Sequence, residues 1–363
     1  MEKKLEIFSY FDVPGPVKSI APHGNGHINN TFLIEIVNLC GKEVRYILQA
    51  VNKNVFTDAV SLMNNIQKVT EFLKKVSADT DPRGIMRLVP AKDGRYYHID
   101  EEGTCWRVYD FIENAVSIEL PETLDEFYEC GYAFGNFQKL LNDFPVEELS
   151  ETIKNFHNTP WRYENFKKAV EEDVCGRAAS VKDEIDFVNS EKDFYSVLFD
   201  SEKKGLLPFR VTHNDTKPNN VMLDAATKKA LCVIDLDTIM PGFSVNDFGD
   251  AIRFGANTAA EDEKDLFKVS LFLELFEAYA KGFLEGTGGL LSADEVMLMP
   301  EGAKMMTIEC GMRFLTDYLQ GDTYFKTHYE GHNLDRCRTQ FELVRDMNRK
   351  WDKMKEIVKQ YAK

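Results

Sequence analysis

The residues whose types and spacing fit chemistry most closely lie between positions 210 and 242. Asp215, in the segment HNDTKPNN, is separated by four residues from Asn220, and Asp235 follows the apolar run LCVI. Phosphoryl transfer needs Mg²⁺ held by Asp and Asn oxygens to neutralise the phosphates, and a further Asp that faces the attacking hydroxyl group. The spacing therefore fits Asp215 as a catalytic carboxylate beside a metal-binding amide, with Asp235 as a second metal ligand.

Two short strands are needed to hold these side chains in place. Residues 221–223 and 231–234 are apolar and flank a turn at 224–229, so we expect a hairpin that brings both polar loops together. Upstream, runs typical of strands occupy 32–36, 44–51, 85–88, 96–100 and 106–111. One amphipathic stretch with helical spacing, 57–76, interrupts them. This pattern predicts an antiparallel sheet with one packed helix.

Helical patterns dominate the rest of the chain. Their predicted extents are 123–141, 162–174, 181–198, 261–284, 292–319 and 334–361. The sequence therefore predicts an α+β protein with two lobes, a β-rich lobe over residues 1–112 and a mainly helical lobe over 113–363, joined by a hinge near 110–114.

Composition and charge exclude several other classes of protein. The chain has 363 residues, of which 44% are hydrophobic and 29% charged, as is typical of a folded globular protein. Its 44 Lys and Arg against 60 Asp and Glu give a net charge of −16, which opposes binding to nucleic acid and to anionic membranes. The opening segment MEKKLEIFSYF lacks the apolar stretch of a signal peptide. We therefore expect a cytoplasmic protein, and a monomer is compatible with every motif.

Several of these segments together resemble one enzyme family. HNDTKPNN followed by VIDLDT is similar, in order and spacing, to the catalytic and metal loops of the aminoglycoside phosphotransferase family, which has a protein-kinase-like two-lobed fold. The turn HGNGHINNT before the strand FLIEI and the hinge WRVYDFIEN lie at matching places. Within the family, GNGHINNTF, YILQAVN, DFGDAIRFGAN and the segment 311–337 most resemble members that phosphorylate the anomeric hydroxyl group of N-acetylglucosamine or N-acetylgalactosamine with ATP and Mg²⁺. The resemblance implies a sugar kinase of carbohydrate metabolism.

The resemblance also implies roles for individual residues. Asp215 would be the catalytic base, Lys217 would contact the γ-phosphate, Asn220 and Asp235 would hold Mg²⁺, and Asp237 would be a weaker neighbour of the metal. The implied nucleotide contacts are Gly24, Asn25, Gly26 and Asn30 in a turn over the phosphates, Gln49 on the third strand, and Asp110, Phe111 and Ile112 in the hinge. The implied sugar contacts are His27, Asn29, Asp215, Arg313 and Tyr324.

One position departs from the protein-kinase pattern. Protein kinases carry a Lys on the third strand of the small lobe that grips the phosphates, and YILQAVN has Gln49 at that place. Glutamine offers a hydrogen bond without a charge. We expect Lys53, Lys217 or Arg253 to supply the cation instead.

Other functions fit parts of the sequence. An apolar strand followed by DLDT also fits haloacid-dehalogenase-type phosphatases, with Asp235 as the nucleophile, but that fold needs a doubly wound parallel sheet and leaves HNDTKPNN without a role. A non-catalytic nucleotide-binding module would explain Gln49 and predicts stabilisation by nucleotide without turnover. Among small-molecule kinases, another sugar, choline or an aminoglycoside is the alternative acceptor.

Three further polar residues have structural interpretations. We expect His213 to fix the catalytic loop through hydrogen bonds to the backbone. Asp247 and Asp250, in the segment NDFGDAIR, either cap the helix that follows or brace the catalytic loop.

Overall fold

The small lobe is built on a five-stranded antiparallel sheet with the strand order β1-β2-β3-β5-β4. The computed structural model describes residues 2–24, 28–78 and 80–362. The strands are β1 (Val17–Pro22), β2 (Asn30–Val37), β3 (Glu43–Ala50), β4 (His98–Ile99) and β5 (Cys105–Asp110). The predicted antiparallel sheet is confirmed, and β1 is a strand that the sequence pattern did not reveal.

The two faces of this sheet have different neighbours, because side chains alternate along a strand. Ile34, Leu48 and Val108 are buried on the outer face, in one cluster with residues of the N-terminal helix α1 (Glu2–Phe8). Gln49 of β3 is paired in register with Arg107 of β5, and both side chains lie on the inner face. The inner face is therefore the polar one, and it is the face available to line the cleft between the lobes.

The predicted helix of the small lobe is present as α2 (Ala59–Val76), and it is tied to the large lobe. Asp58 caps its N-terminus by accepting a hydrogen bond from the Ser61 amide at 3.0 Å. Asn65 Nδ2 donates to the carbonyl groups of Ser150 at 2.8 Å and Ile239 at 3.0 Å. Since Ile239 directly precedes a strand of the large lobe, this helix fixes the position of the loop that follows Asp235.

Two small sheets carry the polar loops. The strands β6 (Ala115–Ser117), β8 (Val221–Asp224) and β9 (Ala230–Val233) form one sheet in the order β6-β8-β9, and β7 (Arg210–Thr212) pairs with β10 (Met240–Gly242). The pairing of Val221 with Val233 confirms the predicted hairpin. All strand pairs in the described part of the chain are antiparallel. This arrangement contradicts the parallel sheet of a haloacid-dehalogenase-type phosphatase.

Helices make up the rest of the large lobe. They are α3 (Leu124–Leu140), α4 (Thr159–Glu172), α5 (Lys182–Ser190), α6 (Val197–Lys203), α7 (Ser244–Gly255), α8 (Leu273–Thr287), α9 (Ala293–Met297), α10 (Met299–Leu319), α11 (His332–Arg349) and α12 (Trp351–Tyr361). None of the helices within the described ranges is both long and apolar enough to cross a membrane. The α+β class and the helical second lobe agree with the sequence prediction.

Two predicted helices are interrupted by tertiary hydrogen bonds. The helix expected over 261–284 begins only at Leu273, because the Leu271 amide donates instead to the Asp346 carboxylate of α11 at 2.7 Å. The helix expected over 181–198 divides into α5 and α6, and the Tyr195 hydroxyl group donates to the carbonyl oxygen of Val188 between them, at 2.7 Å. Both interruptions depend on partners that local periodicity does not show.

Two predicted strands are shorter than expected. Residues 85–88 contribute only an isolated bridge between Leu88 and Tyr109, and Pro90, which has no amide donor, prevents the ladder from continuing beyond Val89. Residues 96–100 reduce to the two-residue strand β4. The sheet edge beside the hinge is therefore irregular.

Glycines allow α3 and α8 to pack backbone against backbone. A Cβ atom added at Gly135 would lie 2.0 Å from the carbonyl oxygen of Phe283, and one added at Gly282 would lie 2.1 Å from that of Tyr128. No larger residue fits at either position without moving a helix. The pair supports α7, whose acidic residues contact the catalytic loop.

Candidate active site

The open end of the β8–β9 hairpin brings the expected metal ligands together. Asn220 directly precedes β8, and Asp235 lies two positions beyond the end of β9. The Ile234 amide donates to the carbonyl oxygen of Asn220 at 2.9 Å, so the hydrogen-bonded hairpin fixes the two loops at one level. Asp235 itself has a left-handed backbone (φ 60°), a conformation that Asp tolerates better than most residues and that recurs at functional sites.

Asp215 lies beside Asn220 and is paired with Lys217. Lys217 Nζ is 2.8 Å from Asp215 Oδ1, and Asn220 Nδ2 donates to the carbonyl oxygen of Asp215 at 2.8 Å and to its Oδ2 at 3.3 Å. Burial alone would raise the pKa of Asp215, but the Lys217 ammonium group outweighs it and the pKa lies below its usual value. Asp215 is therefore ionised at neutral pH, as a base must be.

The oxygens at this end of the hairpin fit a divalent cation. Asn220 uses its Nδ2 on Asp215, and its Oδ1 accepts no hydrogen bond from the described residues. The Asp235 carboxylate likewise has no hydrogen-bond donor there, and burial, followed by repulsion from Asp237 and Asp215, raises its pKa to about 7. An amide oxygen and a carboxylate held in this way lack a positive partner, and a hard cation such as Mg²⁺ supplies one.

This site would take few of its ligands from the protein. Among the described residues no three His, Cys, Asp or Glu side chains converge as a metal site. Magnesium in phosphoryl-transfer sites takes one or two carboxylates and completes its octahedron with phosphate oxygens and water. The residues present fit such a shared site, with Asn220 and Asp235 as the protein ligands.

Helix α7 braces the catalytic loop through two buried carboxylates. The amides of His213 and Asn214 donate to Asp247 at 2.9 and 2.8 Å, and the Thr216 amide donates to Asp250 at 3.1 Å. Asp247 lies in the first turn of α7 and Asp250 in the next, but the N-cap position is Phe243 and no side chain caps the helix. The interpretation that these acids brace the catalytic loop is therefore confirmed, and the interpretation that they cap α7 is wrong.

His213 has the structural role expected of it. Its Nε2 lies 2.9 Å from the carbonyl oxygen of Ile234, and its Nδ1 accepts a hydrogen bond from the Asp215 amide at 3.3 Å. The edge of the ring packs against Phe134, with 5.3 Å between the ring centroids. One imidazole therefore joins the catalytic loop to the loop that carries Asp235.

The cation nearest to Gln49 is Arg107, which the sequence analysis did not identify. Gln49 Oε1 accepts hydrogen bonds from Arg107 Nε at 3.1 Å and Nη2 at 2.9 Å, and Gln49 Nε2 donates to Thr31 Oγ1 at 3.0 Å. The remaining Arg107 nitrogen, Nη1, is 2.5 Å from Asp237 Oδ1. Arg107 is 1% exposed and Asp237 4%, so this ion pair is buried in the cleft. In the sequence, Arg107 is indicated only by its charge within the mostly apolar strand CWRVYD.

The three cations suggested from the sequence have other partners. Lys53 Nζ donates to the carbonyl oxygen of Glu102 at 3.0 Å. Arg253 is paired with Asp250 and Glu261, each at 2.9 Å, and Lys217 is paired with Asp215. None of these three contacts Gln49, whereas Arg107 does.

Asp237, in the loop after β9, contacts Asn29, which lies directly before β2. Asn29 Nδ2 donates to Asp237 Oδ2 at 2.6 Å, and Asn29 Oδ1 accepts from the Asn52 amide at 3.0 Å. Both Asp237 oxygens therefore have protein partners, in contrast to those of Asp235. Gly24 has a positive φ of 75° and Asn30 opens β2, while the expected contacts Asn25, Gly26 and His27 lie outside the described residues.

Among the three expected hinge contacts, one backbone amide has no hydrogen-bond partner in the described residues. The amides of Asp110 and Phe111 donate to the carbonyl groups of Arg87 and Arg45 at 3.0 and 3.2 Å. The Ile112 amide makes no hydrogen bond with the described part of the chain. Of the three hinge residues expected to contact adenine, Ile112 therefore has its backbone donor available.

Arg313 and Tyr324, both expected to contact the sugar, lie together on one surface of the large lobe. The Arg313 guanidinium carbon is 5.5, 5.8 and 5.4 Å from the ring centroids of Phe156, Tyr324 and Phe325. Arg313 forms no hydrogen bond or ion pair with the described residues. Tyr324 is 60% exposed, so a ligand could reach both side chains.

A second arginine and a buried acid continue this surface towards the catalytic loop. Arg162 Nη2 donates to the carbonyl oxygen of Phe156 at 3.1 Å, and its buried Nε has no partner in the described chain. Burial, followed by repulsion from Arg313, lowers the pKa of Arg162 to about 10. Glu309 pairs with His157 at 2.9 Å, and His157 Nε2 lies 3.4 Å from the carbonyl oxygen of Asn214. His157, which follows Phe156 in the chain, therefore joins the surroundings of the two arginines to the residue before Asp215.

Solved structures share this architecture over nearly the whole chain. An aminoglycoside phosphotransferase from Alicyclobacillus acidocaldarius superposes with a TM-score of 0.62 at 11% identity, covering 98% of this chain and 96% of that one. A choline kinase from Cryptosporidium parvum gives 0.55 at 16% identity, covering 95% and 91%. An amicoumacin kinase in complex with AMP-PNP, Ca²⁺ and Ami gives 0.57 at 15% identity, covering 94% and 92%. These likenesses confirm a protein-kinase-like phosphotransferase fold with two lobes.

The sequence itself also matches a known family. Residues 19–283 match the model of the phosphotransferase enzyme family, APH. The protein belongs to this family, as the loops HNDTKPNN and VIDLDT led us to expect.

Proposed function

We propose that the protein is an ATP- and Mg²⁺-dependent N-acetylhexosamine 1-kinase, which phosphorylates the anomeric hydroxyl group of N-acetylglucosamine or N-acetylgalactosamine. In this proposal residues 1–112 and 113–363 act as two lobes hinged near 110–114, and both substrates bind between them. Family membership supports phosphoryl transfer, and the choice of acceptor is supported by the residues on the acceptor side of the cleft.

Each residue of the catalytic loop has a task in this reaction. Asp215 accepts the proton of the attacking hydroxyl group, and Lys217 places positive charge beside the transferred phosphoryl group. Asn220 and Asp235 would hold Mg²⁺, which supplies charge neutralisation at the phosphates. The hydrogen bonds that the loop amides donate to Asp247 and Asp250 hold the loop rigid, so that Asp215 keeps its position as the acceptor approaches.

The environment of Arg313 carries the choice of acceptor. Quaternary ammonium ligands are recognised by cages of aromatic rings, and three aromatic rings do surround one point here. That point is occupied by the protein's own guanidinium group. The arrangement therefore opposes choline, and it offers hydrogen-bond donors and ring faces to an uncharged acceptor.

The same surface opposes a polycation. Arg162 and Arg313 both lack a carboxylate within ion-pair distance among the described residues, and they lie close enough to repel each other. An aminoglycoside would bring several more positive charges to this place, and one acid, Glu309, already pairs with His157. A neutral sugar with hydroxyl and acetamido oxygens accepts hydrogen bonds from guanidinium groups without this repulsion.

The experiment that tests the proposal measures ADP release from Mg·ATP with a panel of acceptors. The panel contains N-acetylglucosamine, N-acetylgalactosamine, galactose, choline and kanamycin, and ³¹P and ¹H NMR locates the phosphate on the product. We expect turnover on an N-acetylhexosamine with phosphate on the anomeric oxygen. The D215N protein serves as the blank.

Other outcomes of this panel would reject the proposal in distinguishable ways. Turnover on choline or kanamycin alone would contradict the argument from Arg313 while leaving Asp215 as the base. Thermal stabilisation by nucleotide without turnover on any acceptor would favour the binding-module interpretation.

A further inference from the structure

A kinase with Gln49 in place of a lysine needs another fixed positive charge beside the phosphates. Three carboxylates, those of Asp215, Asp235 and Asp237, lie at this end of the cleft, and a nucleotide triphosphate adds further negative charge. Lys217 offsets Asp215 directly through its ion pair. Without a second cation, Asp235 and Asp237 would repel both each other and the nucleotide.

Arg107 is placed to provide that charge. It is paired in register with Gln49 on the neighbouring strand, so the two side chains emerge side by side on the inner face of the sheet. Two hydrogen bonds to Gln49 Oε1 orient the guanidinium group, and its third nitrogen reaches Asp237. The glutamine amide is a suitable partner because a lysine at position 49 would repel Arg107.

We propose that Arg107 replaces the third-strand lysine of protein kinases as the positioning cation of this enzyme, with Gln49 as its orienting partner and Asp237 as its anion. In this arrangement the two acids after β9 have different tasks. Asp237 fixes Arg107, and Asp235 stays free for the metal. Compared with protein kinases, the positive charge lies on β5 instead of β3, on the same face of the sheet.

The contacts of Asp237 extend this consequence to Asn29, directly before β2. Asp237 Oδ2 accepts from Asn29, and Asn29 in turn accepts from the Asn52 amide at the end of β3. Arg107, Asp237 and Asn29 therefore connect the sheet, the metal loop and the residue before β2 in one chain of polar contacts. Loss of Arg107 should weaken nucleotide binding, and it should leave the acceptor side unchanged. This inference rests on phosphoryl transfer from a nucleotide, whichever acceptor is used.

The most direct test exchanges the residue types at positions 49 and 107. R107Q removes the cation, Q49K places two cations side by side, and the double variant Q49K/R107Q returns one cation and one amide to the opposite strands. R107Q leaves Asp237 buried without its partner and could fail to fold, so R107Q/D237N is made in parallel. R95Q, which removes an exposed arginine from a loop of the same lobe, is the matched control.

The measurements are the shift in melting temperature with Mg·AMP-PNP and, for turnover, KM for ATP against KM for the acceptor. We expect R107Q/D237N to fold and to bind nucleotide at least ~10-fold more weakly, because the fixed guanidinium charge on the inner face of the sheet is lost, with the acceptor KM changed less than about twofold. We expect Q49K alone to be impaired and Q49K/R107Q to recover nucleotide binding, a non-additive pair.

Two results would overturn the inference. One is nucleotide binding in R107Q/D237N equal to that of R95Q, and the other is a double exchange that recovers the melting temperature but not the affinity for nucleotide. Because the nucleotide-induced shift needs no acceptor, a wild-type protein without sugar turnover would reject the proposed function and still test Arg107.

Discussion

Lys217 and Asp215 form an ion pair of 2.8 Å within a loop whose backbone amides are held by α7. The pair gives the base a fixed orientation before any substrate arrives. It also sets the charge of the base, since the lysine opposes the effect of burial on the Asp215 pKa. The pH dependence of turnover should therefore report on this contact.

We expect Asp215 of the wild-type enzyme to stay ionised at pH values below the usual pKa of aspartate. Because the pKa of folded Asp215 is lowered, activity that depends on it is present above that pKa and is lost only as the pH falls through it. In K217M the main opposition to the burial effect on the Asp215 pKa is lost, so the acid limb of the kcat profile should move to higher pH. An unmoved acid limb in K217M would show that another group sets the position of that limb.

D215N should lose at least ~10²-fold in kcat with nucleotide binding retained.

The substitution D235N should stabilise the metal-free protein and abolish its activity. The pKa of Asp235 is raised to about 7 by burial, then by Asp237 and Asp215. The folded chain therefore binds this proton more tightly than the unfolded chain, and the free energy of unfolding falls as the pH rises towards 7. D235N removes that loss, so its melting temperature at pH 8 without metal should exceed the wild-type value by a few degrees. Mg·ATP should stabilise the wild-type protein and have little effect on D235N.

The experiment needs comparison at a second pH. At pH 5 the wild-type carboxyl group is protonated, and the two proteins should melt at nearly the same temperature. An equal stabilisation by D235N at both pH values would indicate a packing effect and would reject the electrostatic explanation.

The carboxylate of Asp247 should matter for both stability and turnover. It accepts hydrogen bonds from the amides of His213 and Asn214, and Gln138 Nε2 also donates to it at 2.9 Å. In D247N one of these donors faces an amide NH₂ group, which leaves a buried donor unpaired at a cost of about 1–3 kcal/mol. We expect a lower melting temperature and a lower kcat with an unchanged KM for ATP. D265N, which alters an exposed capping carboxylate, should change neither.

The parts of the site that sequence analysis could predict are those fixed by local order. Asp215, Asn220 and Asp235 flank one short hairpin, so strand periodicity and a six-residue turn are enough to bring their loops together. The role of His213 followed from its place two residues before the base. These residues depend on contacts within about twenty positions of the chain, and the patterns of strands and turns describe such distances well.

Arg107 shows why the rest could not be predicted. It is separated from Gln49 by 58 positions and from Asp237 by 130, and the register of β3 against β5 decides that the first two meet. A strand pattern predicts that CWRVYD is buried, but it does not indicate which partner will neutralise the arginine. The late start of the helix predicted over 261–284 has the same cause, because the Leu271 amide donates to Asp346, 75 positions away. The sequence patterns do not indicate which polar groups far apart in the chain pair with each other.

Arg313 provides the test of acceptor recognition. Its guanidinium group lies among Phe156, Tyr324 and Phe325 and has no carboxylate partner in the described chain. We expect R313L to raise the KM for the N-acetylhexosamine at least ~10-fold, because hydrogen bonds from a charged donor are lost, with the KM for ATP nearly unchanged. R313K keeps the charge but not the planar fork of donors, so it should recover only part of the affinity. R95L controls for the loss of an exposed arginine. If R313L raised the KM for ATP as much as that for the sugar, Arg313 would act through lobe geometry; if it raised neither, the acceptor would bind elsewhere.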